Sequence, residues 1–166
     1  MDFGQLLRFT TCDLNQPISL YLPATYLSSI HMSAEHKHKV ILVADDDSED
    51  QELLGDAISE VDPEAKAEMV FSGRAAVEYL EKCFDNELPC AIILDYSMPH
   101  LNGAEVLAIL CKNSRFRAIP KFVWSTSNSK VHIDECKNYG ALNYFIKPDK
   151  PDKLYSLVKE VLAACG

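Results

Sequence analysis

Three aspartates carry the clearest chemical potential in this sequence. Asp45 and Asp46 follow one aliphatic run, and Asp95 directly follows another at residues 92–94. If the fold brings them together, their charges repel, since two unit charges about 4 Å apart cost roughly 4 kcal/mol at an effective dielectric constant near 20. A bound proton or cation must then relieve the repulsion. An oxygen-only ligand set without imidazole or thiolate favours Mg²⁺.

Two further side chains could complete a site for phosphoryl chemistry. Lys147 is a flexible cation that can pair with Asp95 or with a phosphoryl oxygen, and Ser125 supplies a hydroxyl donor. Asp95 would then be the nucleophile that forms an aspartyl phosphate. Each residue also has a plainer interpretation, as part of a solvated acidic turn, a polar turn or a lysine-bearing surface. Their common position after predicted strands favours the chemical interpretation.

The elements that would position these residues alternate regularly from residue 40 onwards. The hydrophobic patterns predict strands at 40–44, 67–71, 92–95, 121–124 and 141–146, and helices at 49–61, 74–84, from 103, 131–139 and 151–164. Ser48 is the expected cap of the first helix, and Gly140 is expected to end the fourth. Five strand–helix units predict an α/β fold, a flavodoxin-like doubly wound five-stranded parallel sheet of order 2-1-3-4-5.

That strand order makes the first and third strands neighbours. Asp45, Asp46 and Asp95 should then converge on one crevice at the carboxyl ends of the strands, where open α/β sheets bind ligands. Ser125 and Lys147 follow the fourth and fifth strands, so they should border the same crevice.

Composition narrows the classes of function. The chain has 166 residues and a net charge of -9, all of which arises from residue 40 onwards. An acidic domain without a basic stripe argues against nucleic-acid binding, and no apolar run is long enough to span a membrane. Six scattered cysteines without a C-x-x-C pair or zinc-ligand spacing predict reduced thiols in the cytoplasm.

The chain divides into two parts by pattern. Residues 1–39 show no clear hydrophobic period and end in a polar run, which predicts an N-terminal extension that is disordered or loosely packed. Residues 40–166 form the predicted domain. After the last predicted helix only Cys165 and Gly166 remain, so we expect no separate output domain.

The segment from residue 40 to about residue 164 resembles the receiver domain of bacterial two-component response regulators, over about three quarters of the chain. The matching motifs are Val43-Ala44-Asp45-Asp46-Asp47, Leu94-Asp95-Tyr96-Ser97-Met98-Pro99 with Asn102-Gly103, Trp124-Ser125-Thr126-Ser127, and Gly140-Ala141 with Tyr144 and Lys147-Pro148. Ile119-Pro120 and the Ser-Thr-Ser run are similar to the single-domain branch that includes cyanobacterial phytochrome response regulators. Chemotaxis response regulators are also similar.

The resemblance implies a phosphorylation site. Asp95 would accept a phosphoryl group from the phosphohistidine of a histidine kinase or a histidine phosphotransfer protein. The implied Mg²⁺ ligands are Asp46, Asp45 through water, Asp95 and the backbone carbonyl of Ser97. The protein would not be an enzyme beyond its own phosphorylation and slow autodephosphorylation.

The resemblance also implies a switch. Ser125 would be the hydroxyl that moves toward the phosphoryl group, Tyr144 the aromatic residue that rotates in step, and Lys147 a phosphoryl contact. It suggests a cis bond at Lys147-Pro148. The switching surface would include the fourth helix, fifth strand and fifth helix, and the signal would pass to an unknown downstream protein, through a phosphorelay or through a homodimer.

Two residues do not fit the resemblance, and two alternative functions remain open. Trp124 and Lys121 depart from the family pattern, which expects aliphatic or apolar residues there. The first alternative function is a receiver-like module that binds partners without phosphorylation. The second is a phosphatase with an aspartate nucleophile, but its Asp-x-Asp motif requires Thr or Val two residues further on, where this chain has Glu49.

Overall fold

One parallel sheet organises the domain. The computed structural model describes residues 39–147 and 151–166. The strands are β1 (Val40–Ala44), β2 (Lys66–Val70), β3 (Ala91–Asp95), β4 (Lys121–Ser125) and β5 (Asn143–Ile146). Their order is β2-β1-β3-β4-β5, and every neighbouring pair is parallel. The predicted fold class and strand order are therefore confirmed.

Helices cover both faces of the sheet, as right-handed crossovers require. They are α1 (Ser48–Val61), α2 (Gly73–Lys82), α3 (Gly103–Leu110), the short α4 (Ser114–Arg117), α5 (Lys130–Asn138) and α6 (Pro151–Ala164), with a 3₁₀ turn at Asp85–Glu87. Alternate strand residues face opposite sides, so Leu42 packs with α2, α3 and α5, whereas Ile41 packs with α1 and α6. The sequence pattern missed α4 and the 3₁₀ turn because both are too short to show a period.

Two helix ends depend on single residues. Asp47, not Ser48, caps α1, since its side chain accepts a hydrogen bond from the backbone N–H of Glu49 at 2.8 Å. Gly140 follows α5 with a φ of +86°, a conformation that glycine adopts without strain, and this agrees with its predicted role.

The cysteine prediction was wrong for two residues. Cys90, just before β3, forms a disulfide with Cys165 after α6, with Cα atoms 4.9 Å apart. The crossover connections bring these positions together across 75 residues of sequence, a proximity that cysteine spacing alone does not reveal. In the described part of the chain, Cys83, Cys111 and Cys136 are free.

Two predictions fall on residues that the structure does not describe. The N-terminal extension lies outside the described residues except for Lys39, and the Lys147-Pro148 peptide bond lies outside them as well. Within the described part of the chain, no helix is long and apolar enough to cross a membrane.

Candidate functional site

The strand register brings Asp45 and Asp95 to adjacent positions. Ala44 pairs with Leu94 across β1 and β3, so the aspartates that follow them emerge side by side at the carboxyl edge of the sheet. Both are buried, with 1% and 5% of their surface exposed, whereas Asp46 is exposed. One carboxylate oxygen of each of the three lies within 4.8 Å of the others. The predicted acidic crevice is therefore present.

Hydrogen bonds fix the loop that carries Asp45. The backbone N–H of Asp47 donates to Asp45 Oδ1 at 3.0 Å. Buried Gln51 donates from Nε2 to the carbonyl oxygens of Asp45 and Val70, at 2.7 and 2.9 Å. Burial raises the pKa of Asp45, while the Lys147 ammonium and the Asp47 N–H favour its carboxylate form.

The loop after Asp95 turns sharply back toward the sheet. The backbone N–H of Ser97 donates to Asp95 Oδ2, and that of Gly103 donates to the Tyr96 carbonyl at 3.1 Å. A Cβ atom on Gly103 would lie 2.5 Å from the Asp95 carbonyl oxygen, so only glycine allows α3 to begin so close to the strand end. Ser97 is exposed beside the aspartates, where its backbone carbonyl was predicted to bind metal.

Lys147 reaches the centre of the acidic crevice. Its Nζ atom lies 2.9 Å from Asp45 Oδ2, 2.9 Å from Asp95 Oδ1 and 2.7 Å from Asp50 Oδ2. Burial alone would lower the pKa of Lys147, but the hydrogen bonds with Asp50, Asp45 and Asp95 raise it above its usual value. The ammonium group is therefore held charged among three carboxylates.

Ser125 and Tyr144 lie on β4 and β5, on the opposite side of β3 from β1. Asp95 pairs in register with Trp124, which places the fully buried Ser125 next in line at the edge of the sheet. The Ser125 hydroxyl oxygen accepts from the Ser127 N–H at 3.1 Å. The half-buried Tyr144 donates its hydroxyl to the Ser127 carbonyl at 3.0 Å, and burial raises its pKa. The loop after β4 thus joins both predicted switch residues.

The donor set fits a hard divalent cation. The carboxylates of Asp45, Asp46 and Asp95 supply only oxygen atoms, within a distance that one ion can span. A fourth aspartate, Asp50, lies nearby but contacts Lys147 instead.

Comparison with known proteins decides the family. The family model described as the response regulator receiver domain matches residues 41–159, well over half of the chain. The chain belongs to this family.

Relatives of this receiver domain come from plants and bacteria. It is 30% identical over 122 residues to the two-component response regulator ORR5 of Oryza sativa subsp. japonica, covering 74% of this chain and 87% of the relative. It is 29% identical over 122 residues to the chemotaxis protein CheY1 of Helicobacter pylori (strain ATCC 700392 / 26695), covering 74% of this chain and 95% of the relative.

Solved structures of response regulators are similar to this receiver domain. The phosphorylated cyanobacterial phytochrome response regulator RcpA aligns with a TM-score of 0.67 at 27% identity, over 75% of this chain and 91% of that one. The Mn²⁺-bound form of response regulator Rcp1 aligns with a TM-score of 0.66 at 25% identity, over 75% and 92%.

Sequence reasoning missed two groups of residues in this receiver domain. Asp50 was missed because the sequence pattern does not show which side of the first turn of α1 meets Lys147. Three side chains beside the site were also missed, and they are Tyr96, His132 and Glu135. Their only signal is the helical spacing of His132 and Glu135, three residues apart on α5.

Proposed function

We propose that this receiver domain accepts a phosphoryl group on Asp95 from a histidine kinase or a histidine phosphotransfer protein and signals by protein contact or phosphorelay. One observation carries the proposal: buried Asp95 is one of three clustered carboxylates, and the Lys147 ammonium lies 2.9 Å from its Oδ1 atom. A strand-end carboxylate with adjacent positive charge suits nucleophilic attack on a phosphoryl group.

The proposed transfer exchanges one bond to phosphorus for another. A carboxylate oxygen of Asp95 bonds to the phosphorus of the partner's phosphohistidine as the phosphorus–nitrogen bond breaks. The leaving imidazole keeps the electron pair of that bond and takes up a proton. Lys147 offsets the charge of the phosphoryl oxygens, and the Ser125 hydroxyl donates to one of them.

The residues that would hold Mg²⁺ are Asp45, Asp46, Asp95 and the backbone carbonyl of Ser97. When bound, the ion would supply positive charge next to the phosphoryl oxygens. The similar protein Rcp1 has a solved Mn²⁺-bound form, which supports the proposal that this chain binds a divalent cation.

The output would be a change in the surface around α5, β5 and α6. Ser125 would move toward the phosphoryl group, and Tyr144, tied to the same loop through Ser127, would change its packing. A downstream protein or a second copy of the chain would then bind this surface. A cytoplasmic location belongs to the proposal, although the argument from reduced thiols no longer applies to Cys90 and Cys165.

Intact-mass measurement after incubation with acetyl phosphate tests this function. We expect one Mg²⁺-dependent phosphoryl adduct on the wild type, none on Asp95→Asn, and a wild-type result for Asp56→Asn, which alters an exposed aspartate on α1. An adduct that persists in Asp95→Asn would place the acceptor elsewhere. No adduct with or without Mg²⁺ would favour the module that binds without phosphorylation, and turnover of a generic phosphomonoester would favour a phosphatase.

A further inference from the structure

Lys147 uses its whole donor capacity in this structure. An ammonium group has three protons, and the Nζ atom lies within 2.9 Å of three separate carboxylates, those of Asp45, Asp50 and Asp95. The contact with Asp50 is the shortest of the three, at 2.7 Å. Lys147 is 13% exposed and Asp50 is 28% exposed, so water screens this pair less than a surface ion pair.

Asp50 differs from Asp45 and Asp95, the other two carboxylates that contact Lys147, in its position and in its role at the site. Asp45 and Asp95 belong to the candidate metal set, and Asp95 is also the proposed phosphoryl acceptor. Asp50 stands outside that set, on the first turn of α1. The Asp47 cap and the contacts of Gln51 fix this turn, so the Asp50 carboxylate projects from a rigid support.

We propose that Asp50 is a positioning residue that keeps the Lys147 ammonium in the crevice while the other two carboxylates change their partners. The inference rests on the proposed function. Conversion of Asp95 to its acyl phosphate replaces the carboxylate charge next to the lysine with the charge of the phosphoryl oxygens, and Asp45 belongs to the candidate metal set. Asp50 has no competing role, so it holds one proton of the ammonium and leaves the others for the phosphoryl oxygens.

The flexibility of lysine makes such an anchor useful. Its side chain has four rotatable bonds, and a charge that wanders loses the alignment that phosphoryl transfer requires. Asp45 and Asp50 approach Lys147 from the loop and the helix that follow β1, whereas Lys147 follows β5, more than 90 residues later. The ion pair therefore fixes the ammonium relative to the strand edge that holds Asp45.

The first test compares phosphorylation rates at saturating Mg²⁺ with acetyl phosphate as donor. We expect Asp50→Ala to slow adduct formation on the order of tenfold, a modest loss of positioning. Asp50→Asn, which keeps an oxygen acceptor but no charge, should fall between Asp50→Ala and the wild type. Asp56→Ala removes an equal charge from an exposed position on the same helix and should react at the wild-type rate.

A second readout needs neither phosphodonor nor metal. Lys147 Nζ lies 5.9 Å from the ring centroid of Trp124, the single tryptophan of the chain. Release of the ammonium by Asp50→Ala should shift the tryptophan emission, and Asp56→Ala should not. A double-mutant cycle of unfolding with Asp50→Ala and Lys147→Ala should show coupling between the two residues.

The outcomes separate this inference from the proposed function. The inference is supported if the wild type is phosphorylated, Asp50→Ala is phosphorylated more slowly and Asp50→Asn at an intermediate rate, and Asp50 and Lys147 are coupled in the unfolding cycle. A labelled wild type with an equally fast Asp50→Ala overturns it and leaves the phosphorylation of Asp95 standing. Absence of coupling would show that Asp50 acts by another route and would also overturn it. An unlabelled wild type overturns both.

Discussion

The imidazole ring of His132 stacks on the phenol ring of Tyr96, with ring centroids 4.2 Å apart. Tyr96 directly follows Asp95, and its hydroxyl donates to Glu135 Oε2 at 3.1 Å. His132 Nδ1 lies 3.0 Å from the hydroxyl oxygen of Ser127, the residue whose N–H donates to Ser125. Helix α5 therefore contacts the ends of both β3 and β4, so movement at either strand end is coupled to this helix.

Tyr96→Phe should keep the ring stack and lose the hydrogen bond to Glu135. We expect the free energy of unfolding to fall by about 1 kcal/mol at pH 8. Burial raises the pKa of Tyr96 to about 12, so between pH 10 and pH 12 the unfolded chain releases a proton that the folded chain keeps. The advantage of the wild type over Tyr96→Phe should therefore shrink as the pH rises from 10, in urea unfolding of both proteins. A difference in the free energy of unfolding that stays constant with pH would contradict this prediction. Tyr79 is present in both proteins, so its titration cancels in the comparison.

Lys121 is a buried cation without an anionic partner among the residues described. It is 2% exposed, and its Nζ atom donates to the carbonyl oxygens of Phe116, Arg117 and Ile119 at 2.7, 3.1 and 2.7 Å. Lys121→Met keeps the apolar stem but leaves these carbonyls without their donor. We expect a loss of about 2 kcal/mol in the free energy of unfolding at pH 7. Lys130→Met, at an exposed position, is the control and should change little.

The stability conferred by Lys121 should depend on pH. Burial lowers its pKa to about 8, below the usual 10.5, so between those values the unfolded chain binds more protons than the folded chain. The wild type should therefore gain stability relative to Lys121→Met as the pH rises from 7.5 to 9.5. Chemical denaturation at four pH values measures this gain. If the stability difference between the wild type and Lys121→Met narrows over this range, the hydrogen bonds to the three carbonyls outweigh burial and hold the pKa of Lys121 higher.

The sequence predicted the parts of the site that depend on strand ends. The hydrophobic runs and the expected strand order predicted that Asp45 and Asp95 lie at one edge of the sheet. Alternating strands and helices joined by right-handed crossovers leave few other sheet topologies. Asp50 and Lys121 could not be placed in this way. Their roles depend on the direction of one side chain and on which loop closes over another, and periodicity contains no such information.

His100 has a backbone conformation that suits few residues. Its φ is +66°, the only positive value for a non-glycine residue in the described part of the chain. His100→Ile places a β-branched residue there and should lower the free energy of unfolding by about 1–2 kcal/mol. His100→Asn should equal or exceed the wild type, because Asn tolerates this region. Thermal unfolding distinguishes them at roughly 4 °C per kcal/mol. Equal melting temperatures would mean that the turn relaxes at no cost.

The Cys90–Cys165 disulfide ties the residue before β3 to the residue after α6 and closes a loop of 75 residues. Cross-linking a loop of this length restricts the unfolded chain and stabilises the fold by up to about 4 kcal/mol. Dithiothreitol should therefore lower the melting temperature of the wild type and expose two additional thiols. Cys165→Ser should melt at the temperature of the reduced wild type, and dithiothreitol should not change its melting temperature. Cys83→Ser, which removes a free thiol, should respond to dithiothreitol as the wild type does. A wild type whose thiol count and melting temperature are both unchanged by the reductant would contradict the pairing.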